Sequence, residues 1–478
     1  MQKLTTGIPG LDALLDGGVV RGSQVLVVGP TGAGKTILAA QMVFHHARQG
    51  RRALWLTALT EASSKLIEHL RTLDYFDQSL LGDVVQVLNV QGQLAERGLD
   101  GTLSEILKEV ADREIEVLVI DSVRSLYELA GDRASVQDFI FRLGSSLFQL
   151  GCTTLLVTDQ SSLDTRVSLE AVISDTLLHL EVSMDGKREV RDLHVIKMRG
   201  ALPLTGRHPF DITAGGIRVY PRIESLRLDG EEAETDRRLS WGVGGVDRLT
   251  GGGIPAYEST LVLGTTGIGK TTLALHYTAE GISTGDNCLY LSFHEKQQKA
   301  LRKARAFGLE LDAAVTAGSL RIMHVAPSDL DVDRVLHAAL EDVEDREVSR
   351  LVIDTLNPLE RDAARQRRFP DIIPALTDRL QARGVTTLIT SELTQVLGQT
   401  LDLGSARESY WTPIDNIVLM RPVEMTGRIG RVLSVLKMRG SDHDEAFYSY
   451  DIGPRGIELE DALQGLEGLL TGRPYRSG

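Results

Sequence analysis

Short apolar runs alternate with amphipathic stretches along the whole chain. Runs such as QVLVVG (24–29) and TLVLG (260–264) have the length and the β-branched content of buried strands. In contrast, TILAAQMVFHHARQG (36–50) carries apolar residues at helical spacing. Alternating strands and helices are typical of a mainly parallel sheet flanked by helices, so the pattern predicts an α/β fold.

The order of the motifs is repeated once within the chain. The repeated landmarks are the glycine-rich loops that begin at Gly29 and Gly264, the acidic strand ends at Asp121 and Asp354, and the basic tags KMRG that begin at Lys197 and Lys437. Their spacings are 235, 233 and 240 residues (264 − 29, 354 − 121 and 437 − 197). Landmarks that keep one order at nearly constant spacing predict a tandem duplication.

The duplication and the composition between its copies predict the domain organisation. The segment ESLRLDGEEAETDRRLS is polar and acidic and has neither helical nor strand periodicity, which is typical of an exposed linker. We therefore predict a first domain over residues 1–226, a linker over 227–238, a second domain over 239–460 and a C-terminal tail over 461–478.

Charge and cysteine content narrow the possible functions. The net charge of −14 argues against a protein whose main task is to coat nucleic acid, which usually requires a basic face. Cys152 and Cys288 each begin an apolar run, so we expect buried free thiols rather than a disulfide framework or a metal cluster. The N-terminus lacks a hydrophobic signal segment, and no apolar run reaches ~18 residues. We expect a cytoplasmic protein without membrane contact.

Both glycine-rich loops match the phosphate-loop pattern G-x-x-x-x-G-K-[ST], and each follows an apolar strand and opens a helix. In this motif backbone N–H groups wrap the phosphates of a nucleotide, and the lysine neutralises their charge. A chance glycine-rich turn does not explain two complete copies in the same context. The predicted ATP-binding residues are Gly29, Thr31, Gly32, Ala33, Gly34, Lys35 and Thr36 in the first half and Gly264, Thr266, Gly267, Ile268, Gly269, Lys270 and Thr271 in the second.

The same pattern predicts Mg²⁺ sites and a separate catalytic base. Thr36 with Asp121, and Thr271 with Asp354, provide a hydroxyl and a carboxylate for Mg²⁺ in each half. Each aspartate is followed by a hydroxyl residue rather than by glutamate, so the base that activates water must lie elsewhere. The strand after each phosphate-loop helix is followed by an acid in matching register, Glu61 in the first half and Glu295 in the second. The alternative is that these two acids cap the following helix.

Taken together, the chain resembles the KaiC family of tandem RecA-like ATPases over nearly its whole length. The resemblance is carried by TGIPGLD, both phosphate loops, YLSFHE, both KMRG tags and LEGLLTGRP. It implies a homo-hexamer that assembles with ATP between its subunits. It also implies that Lys197 and Arg199, and likewise Lys437 and Arg439, reach the nucleotide held by the neighbouring subunit. An arginine in this position stabilises charge on the transferred phosphoryl group; the alternative is a strand end with solvated basic residues.

The resemblance extends to some further positions and stops at others. It places Ser441 and His443 near ATP, and it places Phe307 near the adenine, although a helix-core phenylalanine is an equal alternative. Family kinases carry paired glutamates at the strand end, whereas this chain has only Glu295, preceded by a histidine. The family's adjacent Ser-Thr acceptor pair becomes Trp411 and Thr412, which leaves Thr412 as the single candidate phosphosite.

We therefore predict an ATP-driven hexameric switch that hydrolyses ATP in both halves and signals or keeps time through an unidentified protein partner. Autokinase activity in the second half is left open. One alternative is a RecA-like DNA-binding ATPase, for which RDAARQRRF (361–369), predicted as a basic loop, is the only support. The other is a nucleotide-binding scaffold with little hydrolysis.

Overall fold

The predicted apolar runs form the central strands of two large sheets. The computed structural model describes residues 2–57, 63–159, 169–228, 235–365, 367–393, 411–425, 428–464, 466–467 and 475–476. The chain divides into two units, Met1–Leu226 and Arg227–Gly478. The predicted linker begins at this boundary, and its last residue, Arg238, belongs to a strand. Among the helices in these ranges, none combines the length and the hydrophobicity needed to cross a membrane.

The first unit contains one large sheet and a short hairpin-like pair. Its strands are β1 (Lys3–Leu4), β2 (Val19–Val20), β3 (Gln24–Gly29), β4 (Ala53–Thr57), β5 (Val85–Asn89), β6 (Val117–Asp121), β7 (Thr153–Asp159), β8 (Thr176–Asp185), β9 (Arg188–Met198), β10 (Arg207–Thr213) and β11 (Gly216–Val219). Its α-helices are α1 (Leu11–Leu14), α2 (Lys35–Ala47), α3 (Ser63–Leu70), α4 (Gln91–Arg113), α5 (Val123–Ala130), α6 (Arg133–Gln149) and α7 (Leu169–Ile173).

The second unit repeats this plan. Its strands are β12 (Arg238–Leu239), β13 (Ile254–Pro255), β14 (Ser259–Gly264), β15 (Cys288–Ser292), β16 (Leu320–His324), β17 (Arg350–Asp354), β18 (Thr386–Glu392), β19 (Asn416–Met425), β20 (Arg428–Met438), β21 (Tyr448–Gly453), β22 (Gly456–Ala462), β23 (Leu466–Glu467) and β24 (Tyr475–Arg476). Its α-helices are α8 (Gly244–Leu249), α9 (Lys270–Ser283), α10 (Gln297–Ala306), α11 (Asp312–Ala317), α12 (Val332–Asp345), α13 (Asn357–Arg365) and α14 (Phe369–Ala382).

The two large sheets have the same strand order. The first runs β11-β10-β9-β8-β3-β7-β6-β4-β5, and the second, taken from the matching edge, runs β22-β21-β20-β19-β14-β18-β17-β15-β16. From β8 to β5, and from β19 to β16, neighbouring strands are parallel, while the remaining strands add antiparallel hairpins. The predicted fold class, two tandem RecA-like domains with mainly parallel sheets, is confirmed.

Helices cover both faces of each sheet, which explains why the central strands are apolar throughout. In β3, Val25 and Val27 belong to the core layer that contains α2, while Leu26 and Val28 belong to the layer that contains α6. Side chains alternate between the two faces of a sheet, so a strand buried on both faces is apolar at every position.

Two predictions about particular segments have clear outcomes. Cys152 and Cys288 are buried free thiols, as predicted, and burial raises the pKa of each to about 12. The prediction of a basic loop over 361–369 is wrong, because Arg361 lies on α13 and Phe369 begins α14. The guanidinium of Arg368 is buried, and its two nitrogens each donate to Asp333 at 2.7 Å, a tertiary contact that sequence periodicity does not reveal.

Candidate nucleotide-binding sites

The two phosphate loops leave the carboxyl ends of β3 and β14 and lead directly into α2 and α9. Gly34 and Gly269 precede these helices with φ of 98° and 116°, a left-handed conformation that favours glycine. A Cβ atom at Gly34 would lie 2.6 Å from Ile212 Cδ1, so the loop also needs glycine for space. No side chain of the described residues caps either helix, which leaves the first N–H groups available to an anion.

The loop lysines are buried and point back over the loop. Lys35 Nζ donates to the carbonyl oxygens of Gly29 and Pro30 at 3.0 and 2.8 Å. Lys270 Nζ donates to the equivalent carbonyls of Gly264 and Thr265 at 2.9 and 3.0 Å. Burial lowers the pKa of Lys270, although the nearby carboxylates of Glu392 and Asp354 oppose this effect. Both ammonium groups therefore lie where the motif places phosphate charge.

The predicted loop residues have matching environments in the two halves. The residues at the tip of each loop are exposed, and those at its base are buried. The exposed residues are Thr31, Gly32, Thr266 and Gly267, and the buried ones are Ala33 and Ile268. The carbonyl of Ile268 accepts a hydrogen bond from Tyr450 Oη at 2.6 Å. An exposed tip on a buried base is a cradle that a phosphate chain can enter from solvent.

The predicted metal residues lie together at the carboxyl edge of each sheet. Thr36 Oγ1 donates to Asp121 Oδ2 at 2.8 Å, and Thr271 Oγ1 donates to Asp354 Oδ2 at 3.0 Å. Mg²⁺ usually binds to one or two protein oxygens plus the phosphates and waters, so each pair fits this ion. No group of three or more His, Cys, Asp or Glu residues that could hold a metal by itself occurs among the described residues.

Glu295 follows β15 and is buried at 9% exposure. Its Oε1 lies 3.5 Å from Lys299 Nζ and also contacts Lys303 Nζ, while its backbone N–H donates to Ser292 Oγ at 3.1 Å. Its Oε2 is buried without a hydrogen-bond partner in the described part of the chain. That oxygen therefore has an unused acceptor position but no contact with solvent. The matching acid of the first half, Glu61, lies outside the described residues.

The basic tags lie beside the amino-terminal ends of the parallel strands, whereas the phosphate loops follow the carboxyl ends of these strands. Met198 at the end of β9 pairs with Thr176 at the start of β8, which pairs with Val25 at the start of β3. In the second half Met438, Asn416 and Thr260 form the same row. The phosphate loop begins at the other end of these strands, about 13 Å away for four residues of extended chain.

Each tag holds the segment that precedes β8 or β19. Lys197 Nζ donates to the carbonyl oxygens of Ala171, Val172 and Ser174 at 2.9, 2.9 and 2.6 Å, and Arg199 Nη2 donates to Val172 O at 3.1 Å. Burial lowers the pKa of Lys197, and the neighbouring charge of Arg199 adds to this effect.

The second tag makes equivalent contacts. Lys437 Nζ donates to Thr412 O at 3.0 Å and to the carbonyl of Ile414, and Arg439 lies 3.4 Å from Asp415. A β-bulge precedes both tags, at Leu177/Leu178 and at Ile417/Val418 in the partner strands. Bulges re-aim side chains at sheet rims, and here the arginine heads of both tags remain more than half exposed.

The remaining predicted residues, Ser441, His443 and Phe307, make contacts within the described part of the chain. Ser441 follows the tag, and its hydroxyl accepts a hydrogen bond from Arg238. The backbone N–H of His443 donates to Asp442 Oδ1 at 3.1 Å. Phe307 is half-buried at the C-terminal end of α10.

Two acids next to the phosphate loops were missed by the sequence analysis. Asp159 ends β7 and pairs with Gly29 in the sheet, while Glu392 ends β18 and pairs with Gly264. Their spacing of 233 residues (392 − 159) equals that of Asp121 and Asp354, so the repeat itself could have identified them.

Comparisons with known proteins agree with this arrangement. The family model described as "ATPase: KaiC" matches residues 4–224 and 239–464. The circadian clock oscillator protein KaiC of Acaryochloris marina is 28% identical over the whole chain, which covers 92% of that protein. The circadian clock protein KaiC3 of Synechocystis is 27% identical over 99% of the chain and 95% of that protein.

Proposed function

The chain belongs to the KaiC family of ATPases, and from this premise we propose that it forms a ring, a homo-hexamer, with ATP bound between subunits. The observation that carries the proposal is the separation of tag and phosphate loop at opposite edges of each sheet. Arg199 and Arg439 cannot reach the phosphates bound by their own half, yet their heads are exposed. When subunits lie side by side in a ring, the tag of one subunit faces the phosphate loop of its neighbour.

In this proposal each half hydrolyses ATP. Lys270 and the N–H groups at the start of α9 bind the phosphates, while Thr271 and Asp354 hold Mg²⁺, which supplies charge neutralisation when bound. Glu295 Oε2 accepts a proton from the attacking water. Arg439 of the neighbour stabilises the charge of the transition state. The first half uses the equivalent residues, with Glu61 as its proposed base.

A mixing experiment tests the shared site. Lys35→Ala/Lys270→Ala lacks both phosphate-loop lysines, and Arg199→Ala/Arg439→Ala lacks both arginines. Each double variant alone should release little ADP. Mixed rings contain interfaces in which an intact loop faces an intact tag, so ADP release should recover. No recovery, with native mass spectrometry showing mixed rings, would contradict a site shared between subunits.

The same measurement separates the proposal from the scaffold alternative. A scaffold would assemble with ATP or with a non-hydrolysable analogue and would release no ADP, whereas the proposed enzyme releases ADP from both halves. The DNA-binding alternative loses part of its support, because Arg368 of segment 361–369 is buried and paired with Asp333.

The signalling role is also part of the proposal. The relatives carry names of circadian clock proteins, and we infer that the nucleotide state of this ring is read by a protein partner. Cross-linking of such a partner should depend on whether the ring is loaded with ADP or with the non-hydrolysable analogue.

A second activity, autophosphorylation, is favoured by the position of Thr412. Its side chain is exposed at the tag edge, and its carbonyl is held by Lys437, while the preceding Trp411 is buried. The proposed ring places Thr412 beside the neighbour's second-half ATP. The γ-phosphoryl group of this ATP would pass to Thr412 Oγ1, with ADP as the leaving group and with Glu295 or His294 of the neighbour accepting the hydroxyl proton. Label from γ-labelled ATP should appear in the wild type and in Thr412→Ser and disappear in Thr412→Ala. Equal labelling of Thr412→Ala would contradict this acceptor.

A further inference from the structure

Arg238, the first residue of β12, connects two segments of the second unit. Its Nη1 donates to the carbonyl oxygens of Thr250 and Gly253 at 2.8 and 3.0 Å, in the loop that follows α8. Its Nη2 donates to Ser441 Oγ, and Ser441 lies two residues beyond Arg439 of the second tag. One guanidinium therefore joins the loop after α8 to the segment that follows the tag.

The glycines of that loop pack closely around this connection. A Cβ atom at Gly252 would lie 3.7 Å from Arg238 Cδ, and a Cβ atom at Gly251 would lie 3.4 Å from the carbonyl oxygen of Asp442. The loop thus contacts both the Arg238 side chain and the segment after the tag, which leaves little room for either to move.

Arg439 lies between two fixed points of the backbone. On its amino-terminal side, its own N–H donates to the carbonyl oxygen of Asp415 at 3.2 Å. On its carboxyl-terminal side, Ser441 is held by Arg238. The Arg439 side chain itself is 61% exposed. Its direction therefore depends on the backbone that carries it more than on side-chain packing.

The first half has different residues at these positions. Lys3 corresponds to Arg238 (238 − 235 = 3), and Ala201 corresponds to Ser441 (441 − 240 = 201). Lys3 Nζ lies 2.7 Å from Asp16 Oδ2. Because the alanine side chain has no hydrogen-bonding group, the side chains of Lys3 and Ala201 cannot form the same connection. The two tags share the sequence KMRG but differ in what supports them.

We propose that Arg238 is a positioning residue for Arg439, which it directs towards the phosphates held by the neighbouring subunit. This inference rests on the proposed trans role of Arg439 and adds the residue that fixes its approach. Arg238 acts by holding Ser441, so the tag keeps one geometry at the interface. A charge that is oriented in advance stabilises the transition state without reorganisation, whereas nucleotide binding depends mainly on the phosphate loop.

Turnover of the second half tests this role in an Arg199→Ala parent, in which the first half should hydrolyse slowly and both phosphate loops are intact. Arg238→Ala should lower kcat for ADP release by about 10-fold. The Kd of a non-hydrolysable ATP analogue should change by less than about 2-fold. Arg238→Lys keeps the charge but lacks the planar fork that spans two carbonyls and a hydroxyl, so most of the loss should remain. Ser441→Ala, a smaller change, should lower kcat in the same direction, and native mass spectrometry shows whether each variant still forms rings.

A double-mutant cycle separates positioning from a general effect on stability. In a chain that also carries Arg439→Ala, Arg238→Ala should have no further effect on the residual turnover, because no arginine is left to position. The inference would be overturned by an equal loss with and without Arg439. Unchanged kcat in both Arg238→Ala and Ser441→Ala would overturn it as well.

Lys3→Ala in an Arg439→Ala parent is the matched control for the first half. It should change kcat by less than about 2-fold, because Lys3 pairs with Asp16 and not with the tag. A loss as large as that of Arg238→Ala would contradict a role specific to the second tag. If Arg439→Ala itself left second-half turnover unchanged, the shared site of the proposed function would fail. Slow turnover in Arg439→Ala with normal turnover in Arg238→Ala would overturn only the present inference.

Discussion

The two halves keep the same site geometry while replacing the residues around it. The hydroxyl-to-carboxylate distances of the metal pairs are 2.8 and 3.0 Å, and each loop lysine contacts two loop carbonyls in the same way. Around Asp354, however, Tyr290 Oη and Thr390 Oγ1 donate hydrogen bonds at 2.8 and 2.6 Å. The first half has Trp55 and Val157 at these positions.

A second difference lies under the phosphate-loop helix. In the second half Arg350 Nε donates to Asp286 at 2.7 Å, and its guanidinium covers the Tyr277 ring at 4.7 Å, in space left by Gly281. The first half carries buried His46 at the position of Gly281 (281 − 235 = 46) and Val117 at that of Arg350 (350 − 233 = 117). The comparison teaches that the backbone preserves the nucleotide-binding geometry, while neighbouring side chains are free to tune each half separately.

The largest effect should come from removing one loop lysine. Lys35→Ala should eliminate ATP binding by the first half and leave that of the second, and Lys270→Ala should do the reverse, because each ammonium serves only its own loop. Binding of a non-hydrolysable analogue should fall from two sites per chain to one. If either single change removed both sites, the halves would not be independent.

Replacing the tag arginines should give the next largest effect. Arg199→Ala and Arg439→Ala should each slow hydrolysis at one class of site by about 10³-fold, the lower range for an arginine supplied in trans. Analogue affinity should change far less, because charge stabilisation matters most in the transition state. Measuring turnover and analogue binding on the same samples separates the two effects. Equal losses in both would mean that the arginines only hold nucleotide or interface.

The sequence predicts the parts of these sites that depend on local motifs. The phosphate loops, the acidic strand ends and the repeat could be identified from spacing alone, since a strand, a glycine-rich turn and a helix are encoded within a few neighbouring residues. The position of the tags opposite the loops follows from strand order, which requires the pairing of segments far apart in sequence. Likewise, the burial of Arg368 depends on its contact with Asp333, 35 residues away in sequence.

The contacts of Asp159 and Glu392 could not be predicted from the sequence for the same reason. Both acids stand at equivalent positions, so their residue types predict similar behaviour. Their contacts differ: Asp159 pairs with Lys35, whereas Glu392 accepts from Thr266 and has its backbone held by Asn357, 35 residues away in sequence. A tertiary clamp of this kind has no local signature.

Acid should destabilise the first half through His46; burial also lowers the pKa of His276 in the second half, so the test compares His46 variants within the first half. Burial, together with the charge of His45, lowers the pKa of His46 to about 4. The unfolded chain, with a histidine pKa near 6.5, therefore binds the proton more tightly, and stability falls as the pH drops from 6.5 towards 4. We expect the first half to lose about 2 kcal/mol between pH 7 and pH 5 from this group. Hydrogen exchange of first-half peptides should show this loss, and His46→Gln should remove it; an unchanged pH dependence in His46→Gln would contradict the assignment.

The smallest effect concerns the hydrogen bond from Tyr290 to the metal-side aspartate of the second half; the first half has Trp55 at the position of Tyr290. Tyr290 is buried, and its hydroxyl donates to the same Asp354 oxygen that accepts from Thr271. Thr271 and Asp354 would hold Mg²⁺, and the Tyr290 hydroxyl orients the Asp354 carboxylate. Tyr290→Phe should therefore weaken Mg²⁺ binding by about 1 kcal/mol, or about 5-fold. The test measures ADP release against Mg²⁺ concentration in Lys35→Ala protein, where only the second half turns over. Tyr277→Phe is the matched control, because the Tyr277 hydroxyl is buried without a hydrogen-bond partner in the described residues. If both variants need the same Mg²⁺ concentration, Tyr290 does not tune the metal site, and the difference between the halves at this position is one of packing alone.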